Sequence, residues 1–310
     1  MHCNFCEKKS ADRKGYLRLR SGMLQAIRSF FIKQGYLEIE TPNLIPAPAP
    51  EANIDAISAG GFYLHTSPEL CMKRLLTAGF TRIFQITKCF RQNERGNIHL
   101  PEFTLLEWYR TGKNYLDLMV ECEAMVISVS EDIGAGGKII YQGMEIDLKR
   151  PWERISVDEA FRRYTSITPE TAIQKGLFDE VMVKEIEPRL GVKRPQFLYD
   201  FPATQAALAR LKPGRPGIAE RFEIYIGTLE LANAFSELND AEEQKARFEK
   251  EQCSRYEQGK QVYPMPDKFL TSLKYMPGAA GIALGIDRLA MLFTDSAKID
   301  DVVSFTPEDL

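Results

Sequence analysis

A chain of 310 residues, 44% hydrophobic and 27% charged, has enough apolar material for a large core, which excludes a disordered or collagen-like polymer. Its formal charge of −3, from 40 basic against 43 acidic residues, supplies no global field that would attract nucleic acid. The longest apolar run, Gly278 to Ile286, is nine residues, far below the ~20 of a membrane helix, and the N-terminus lacks the apolar stretch of a secretory signal, so the cytoplasm is the expected compartment.

In chain order, His2, Cys3 and Cys6 offer metal-type side chains without a second pair to complete a site. Cys71, Cys89, Cys122 and Cys253 are scattered, so reduced thiols are the expectation. Lys8, Lys9, Arg13, Lys14, Arg18 and Arg20 form a basic lead-in that merges into a helix. Its apolar residues Leu17, Met23, Leu24, Ile27, Phe30 and Phe31 recur at helical spacing until Gly35 stops it. Tyr36 to Glu40 reads as a short strand broken by Pro42, and Pro46, Pro48 and Pro50 stiffen the next stretch into an extended loop.

Ile83 to Arg91 and Phe103 to Tyr109 predict an antiparallel hairpin with a long polar tip. Tyr115 to Val129 reads as a helix, Ile139 to Leu148 as a hairpin around Gln142-Gly143, and Ser156-Val157-Asp158-Glu159 as a capping box. A second hairpin runs from Phe222 through Gly227-Thr228 to Phe235. Ala241 to Glu257 is a charged surface helix, and Gly281 to Gly285 is a small-residue strand leading into a helix over Asp287 to Phe293. The pattern is that of an α+β fold, a mostly antiparallel sheet flanked by helices.

A two-residue turn at Gly227-Thr228 pairs Tyr225 with Glu230 and Glu223 with Ala232, which places Glu223 and Glu230 on one sheet face. Two such carboxylates repel unless a cation lies between them, and all-oxygen ligands suit Mg²⁺ held with phosphates; a solvated face with basic neighbours explains them equally well. Asn233, Phe235 and Glu237 continue at every second position, but the step from Glu230 to Asn233 changes parity. All of them face one site only if the strand bulges between Leu231 and Ala234. Glu237 suits an ammonium group, Arg91 can fork onto a phosphate, and Phe103 can present a ring face. Arg288, in the first turn of a helix, opposes the helix dipole, which points to an anion nearby.

Together these segments resemble the three signature motifs of class II aminoacyl-tRNA synthetases, and specifically the lysyl branch. Gly35 to Pro42 resembles motif one, Phe90-Arg91 through His99 to Tyr109 motif two, and Gly281 to Leu289 motif three. Glu220 to Glu223 and Phe235 to Asp240 are similar to the lysyl branch's metal and amino-acid segment. The departures, Ala283 for a glycine and the segment Pro202 to Ala209 where the lysyl enzymes carry a Ser-Pro pair, with Thr66 to Glu69 and Glu107 to Tyr109, resemble a truncated paralogous family, the elongation factor P (R)-β-lysine ligases.

That resemblance implies an ATP-dependent ligase that activates (R)-β-lysine as an adenylate and passes it to a lysine amine of elongation factor P. It implies Mg²⁺ on Glu223 and Glu230, Arg91 on the α-phosphate, and Phe103 with Arg288 around adenine, Arg288 and His99 also reaching the distal phosphates. Where the family has Arg-x-Glu this chain has Arg91-Gln92-Asn93-Glu94, so the adenine contact passes to Asn93 or to a shifted Glu94. Glu107, Tyr109 and Glu237 are implied around the ε-ammonium, Ser67 and Glu69 around the second amine, Asn233 on the carboxylate, and Ala283 as a discriminating methyl. Ala234 replaces a common glycine where the strand must bend. The expected organisation is a basic lead-in and helix over 1–34 and a catalytic domain over 35–310, with no anticodon-binding barrel, because about 30 residues of strand do not fit before motif one. The resemblance also implies a homodimer through the region around Pro42. Two other readings are an adenylate-forming enzyme that loads a tRNA or small amine, and a non-catalytic regulator on the same fold.

Overall fold

The computed structural model describes the backbone of residues 4–310 and side chains from Arg13 onward, so the His2, Cys3 and Cys6 side chains lie outside the described residues. The chain opens with helix α1 (Asn4–Lys33), which takes in the basic lead-in, followed by strands β1 (Leu37–Glu38), β2 (Leu44–Ile45), β3 (Ser58–Ala59) and β4 (Phe62–Leu64). Helix α2 (Glu69–Thr77) precedes the hairpin β5 (Arg82–Phe90) and β6 (Glu102–Thr111), then α3 (Tyr115–Asp132). The middle comprises β7 (Lys138–Tyr141), β8 (Met144–Asp147), β9 (Glu153–Ser156), α4 (Val157–Tyr164), α5 (Pro169–Gln174), α6 (Phe178–Val181), β10 (Gln196–Pro202) and β11 (Leu211–Lys212). The last part holds β12 (Arg215–Ile226), β13 (Leu229–Ser236), α7 (Ala241–Glu257), α8 (Asp267–Leu273), β14 (Ala279–Gly285) and α9 (Ile286–Thr294).

The described residues form a nine-stranded sheet in the order β1-β5-β6-β14-β13-β12-β10-β9, with β11 paired to β12. Only the β1–β5 and β10–β9 pairs are parallel, so the expected antiparallel character holds. The strand expected over Tyr36 to Glu40 shortens to Leu37–Glu38, because Pro42 ends the run close by. Ser156 caps α4 by accepting from the Glu159 N–H, which is one half of the expected capping box. Cys71, Cys89, Cys122 and Cys253 are free thiols. Among the described residues, no helix is long and apolar enough to cross a membrane.

One face of the sheet is closed by helices. Met23, Ile27 and Phe31 of α1, Leu118, Cys122 and Val126 of α3, and Leu289 and Leu292 of α9 pack in one core with Phe84, Leu106, Trp108, Ile282 and Leu284 from the strands. Those strand residues alternate with the ones that matter for chemistry, since successive side chains point to opposite faces. Burial of this helix-covered face fixes the register and thereby chooses which side chains reach the other face.

Candidate active site

The second face is a lattice of cross-strand partners. One row runs Glu223, Asn233, Ala283, Glu107 and Gln85 across β12, β13, β14, β6 and β5, and the next runs Arg221, Phe235, Gly281, Tyr109 and Ile83. Segments far apart in the chain therefore share one surface. Gly281 is required there, because a Cβ at that position would collide with the Tyr109 ring and the Glu237 carboxylate.

The hairpin corrects one expectation. Tyr225 pairs with Glu230 as the turn predicts, but the register slips between Ile224 and Tyr225, so Glu223 pairs with Asn233 and not with Ala232. The cause is a bulge at Leu231, within the segment where the parity change demands one, and it brings Glu230 and Asn233 to the same cleft. Ala234 pairs with Phe222 and Ile282 on the core side, so its methyl stays clear of the site.

The cleft encloses about 300 Å³. Arg91, Glu94, His99, Phe103, Glu230 and Arg288 line it, as do Ser67, Glu69, Glu107, Tyr109, Asn233 and Ala283. Three predicted residues do not line it. Asn93 is exposed, with φ at +66°, a left-handed conformation that asparagine tolerates; its turn leaves Glu94 on the cleft, 3.8 Å from Arg91. Of the two alternatives for the adenine contact, only Glu94 lines the cleft. Glu223 and Glu237 lie beneath the surface, held by other side chains.

At the cationic end, Arg288 is fixed before any ligand arrives. Its guanidinium donates to the Glu230 carbonyl at 2.6 Å and meets His99 Nε2 at 2.6 Å. Burial, reinforced by the Arg288 charge, holds the His99 imidazole below its usual pKa, which keeps Nε2 free to accept. Arg91 lies 5.0 Å from the centroid of Phe103, so the ring face expected to meet adenine is covered by Arg91, while Arg288 is engaged elsewhere. Asp287, which sequence reasoning missed, is buried, accepts from the Thr104 N–H at 2.7 Å and pairs with Arg20 at 2.6 Å.

The acidic end is built around Glu107. Its oxygens accept from Tyr109 Oη at 2.6 Å and Ser67 Oγ at 2.8 Å. Burial, with Glu69 nearby, pushes its carboxyl up to about 8. Lys73 was also missed. Its ammonium is fully buried, donates to Glu69 at 2.5 Å, pairs closely with Glu237, and sits 5.1 Å from the Phe235 ring centroid. Burial alone would lower the Lys73 pKa; Glu237 and Glu69 reverse this and raise it, so the ammonium stays charged. Burial raises Glu237 as well, to about 8, with Lys73 opposing the shift and Glu69 and Glu107 adding to it. Its Oε1, without a hydrogen-bond donor among the described residues, lies against Gly281 on the floor of the cleft. The signal for Lys73 was its position four residues after Glu69, one helical turn on.

Glu223 accepts from Arg221 at 2.7 Å and from the Tyr225 hydroxyl at 2.8 Å, and Arg221 also donates to Asn233 at 3.0 Å. Burial pushes the Glu223 carboxyl up to about 7; Arg221 lowers it, while Glu230 and Glu187 add to the rise. No group of three or more His, Cys, Asp or Glu side chains is arranged to hold a metal ion among the described residues. Glu230 lines the cleft, while both oxygens of Glu223 are already engaged by Arg221 and Tyr225, so the pair offers two oxygen ligands at most and no closed protein cage.

Comparison with known proteins places this geometry in context. Residues 2–309 match the family model of class II tRNA synthetases (D, K and N). The chain is 38% identical to the elongation factor P (R)-β-lysine ligase of Haemophilus influenzae, over 97% of each protein, and 37% identical to that of Vibrio atlanticus, over 93% of this chain and 94% of the relative. It is 36% identical to a lysine–tRNA ligase of Carboxydothermus hydrogenoformans, over 93% of this chain and 64% of that protein. With the match running almost end to end and the motif strands adjacent in one sheet, the chain belongs to the class II tRNA synthetases of the D, K and N group.

Proposed function

We propose that this protein activates (R)-β-lysine with ATP and transfers it from the adenylate to a lysine ε-amine of elongation factor P. The observation that carries the reading is the buried acidic end of the cleft. Glu69, Glu107 and Glu237 gather three carboxyl groups around the one ammonium of Lys73, and a substrate with two amines would supply the positive charge that lets the raised carboxyls ionise. The cationic end, Arg91, His99 and Arg288, suits the phosphates of ATP. The names of the Haemophilus and Vibrio relatives supply the acceptor.

In this reading Glu107, Tyr109 and the free Oε1 of Glu237 hold the ε-ammonium, Ser67 and Glu69 the second amine, and Asn233 orients the carboxylate toward the α-phosphorus. Arg91 leaves the Phe103 face to stabilise charge on the α-phosphate, and adenine takes its place between Phe103, Arg288 and Glu94. Glu223 and Glu230 would hold Mg²⁺, which supplies positive charge against the triphosphate. The carboxylate attacks in line, pyrophosphate leaves, and Arg288 with His99 balances the charge of the departing phosphates. ATP and elongation factor P as substrates put the reaction in the cytoplasm. We also keep the division at residue 35, with the catalytic domain over 35–310, and a homodimer built through the Pro42 region, where Leu37 and Leu44 are exposed. A monodisperse monomer at micromolar concentration would remove the dimer without touching the chemistry.

ATP–pyrophosphate exchange with (R)-β-lysine, with lysine and with no amino acid tests activation, and labelled product on elongation factor P tests transfer. Exchange that is fastest with (R)-β-lysine, followed by label on elongation factor P, is the expected result. The match to a lysine–tRNA ligase favours a second reading, adenylation of lysine for a tRNA. Label on tRNA and none on elongation factor P would select it.

A further inference from the structure

A second cavity of about 330 Å³ adjoins the cleft, and Glu51, Ser67 and Glu69 line both. The walls of the second cavity are mainly apolar, with Ile45, Pro46, Pro48, Leu70, Met265 and Phe269 among them. An apolar wall with carboxylates where it meets the cleft suits an alkyl chain tipped by an amine. Of the two shared carboxylates, Glu69 is occupied by Lys73. Glu51 is not occupied: among the described residues no hydrogen bond or ion pair engages its carboxylate, although its backbone is tied down. The Glu51 N–H donates to the Ala49 carbonyl at 2.9 Å, the Glu51 carbonyl accepts from Arg255 at 2.7 Å, and the next N–H, of Ala52, donates to Glu251 at 2.7 Å. The proline-rich loop thus presents a free carboxylate on a fixed backbone.

We propose that Glu51 accepts the proton of the acceptor lysine during transfer, and that the second cavity is the passage along which that lysine side chain reaches the adenylate. The inference rests on the adenylate reading above and assigns a residue to its second half. An acceptor lysine arrives as an ammonium, which has no lone pair for attack. Glu51 takes one proton and later returns it to solvent. The nitrogen lone pair then forms the C–N bond at the adenylate carbonyl, the carbonyl C–O bond to phosphate breaks, and AMP departs with that electron pair. The second N–H proton leaves on the phosphate. Four charged groups act on Glu51: Glu69 of α2, Arg91 after β5, Arg221 of β12 and Glu251 of α7. Burial, with Glu69 and Glu251 reinforcing it and Arg91 and Arg221 opposing it, pushes the carboxyl up to about 7, where a proton acceptor works at neutral pH.

The test uses the full chain loaded with ATP and labelled (R)-β-lysine, then mixed with elongation factor P from pH 6 to 9, with ATP–pyrophosphate exchange run in parallel. Glu51→Gln should slow single-turnover transfer at least tenfold more than it slows exchange, and Glu51→Asp should recover part of the loss. Wild-type transfer should rise with pH through about 7, a rise that the Gln variant lacks. Met265→Trp, which fills the passage, should raise the KM for elongation factor P more than that for (R)-β-lysine. Thermal unfolding of each variant shows that it is folded. Equal losses in both half-reactions, or a raised KM for (R)-β-lysine in Glu51→Gln, would put Glu51 on the amino-acid substrate and overturn the proposal, as would unimpaired transfer. Absence of amino-acid-dependent exchange in the wild type would overturn the adenylate reading itself.

Discussion

At the scale of single residues, the acidic end of the cleft makes a pH prediction whose sign follows from burial. Glu107 and Glu237 are raised to about 8, from a usual carboxyl pKa near 4.5. The native state therefore binds more protons than the unfolded chain between those values, and stability without ligand should fall as pH rises from about 5 to 8. A bound diamine favours the ionised carboxyls, so the rise in Tm given by (R)-β-lysine should grow over the same window. A Tm increment independent of pH would show that these carboxyls do not meet the amines. Lys73 is the only cation paired with Glu237 among the described residues. Lys73→Met should destabilise the protein by about 3 to 5 kcal/mol, the cost of stranding one partner of a buried ion pair, as read from denaturant unfolding. Ala283 faces the cleft between Asn233 and Glu107, and in the proposed pose its methyl borders the one amine that moves from the α to the β carbon. Ala283→Gly should narrow the preference for (R)-β-lysine over lysine by an amount within about 1 to 3 kcal/mol. An unchanged ratio of specificity constants would assign discrimination to Ser67 and Glu69.

At the scale of elements, the β12–β13 hairpin shows what was legible in the sequence and what was not. Gly227-Thr228 marked the turn, and both residues take positive φ, +60° and +65°, as a tight two-residue turn requires. Threonine is strained there, so Thr228→Gly should raise Tm by the equivalent of about 1 kcal/mol, the left-handed penalty less the entropy cost of glycine. A lower Tm would show that the Thr228 side chain contributes packing that outweighs the strain. The parity change after Glu230 likewise signalled a bulge, but its consequence for Glu223 was out of reach, because a bulge moves every partner beyond it and its position is set by packing against β14. Local signals also placed the β5–β6 hairpin, α3, α7 and the β14–α9 corner. The pairs that escaped, Lys73 with Glu237, Arg20 with Asp287 and Ser67 with Glu107, join segments distant in the chain, where periodicity carries no information. The motif resemblance anticipated most of the cleft, and Asn93 and Glu94 stayed open because a left-handed turn decides which of them faces in.

At the scale of the whole molecule, the sheet is two local hairpins joined by a late strand. Residues of β5–β6 and β12–β13 pair with near neighbours in sequence, while β14 must fit between β6 and β13, with α9 behind it in the core. No cross-strand row of the cleft floor is continuous until β14 is seated, since Gly281 and Ala283 are its central members. This order has a kinetic consequence. Long-range strand pairing carries loop-closure costs that short-range pairing does not, so β14 insertion should follow hairpin formation. On refolding from denaturant, far-UV circular dichroism should recover first, and tight binding of ATP should return only with the slowest phase. Recovery of both signals in one phase would show that the hairpins do not persist without the strand between them. During synthesis the same dependence leaves a nascent chain without nucleotide affinity until residues 279–285 clear the ribosome, so an unfinished copy holds no ATP and releases no adenylate.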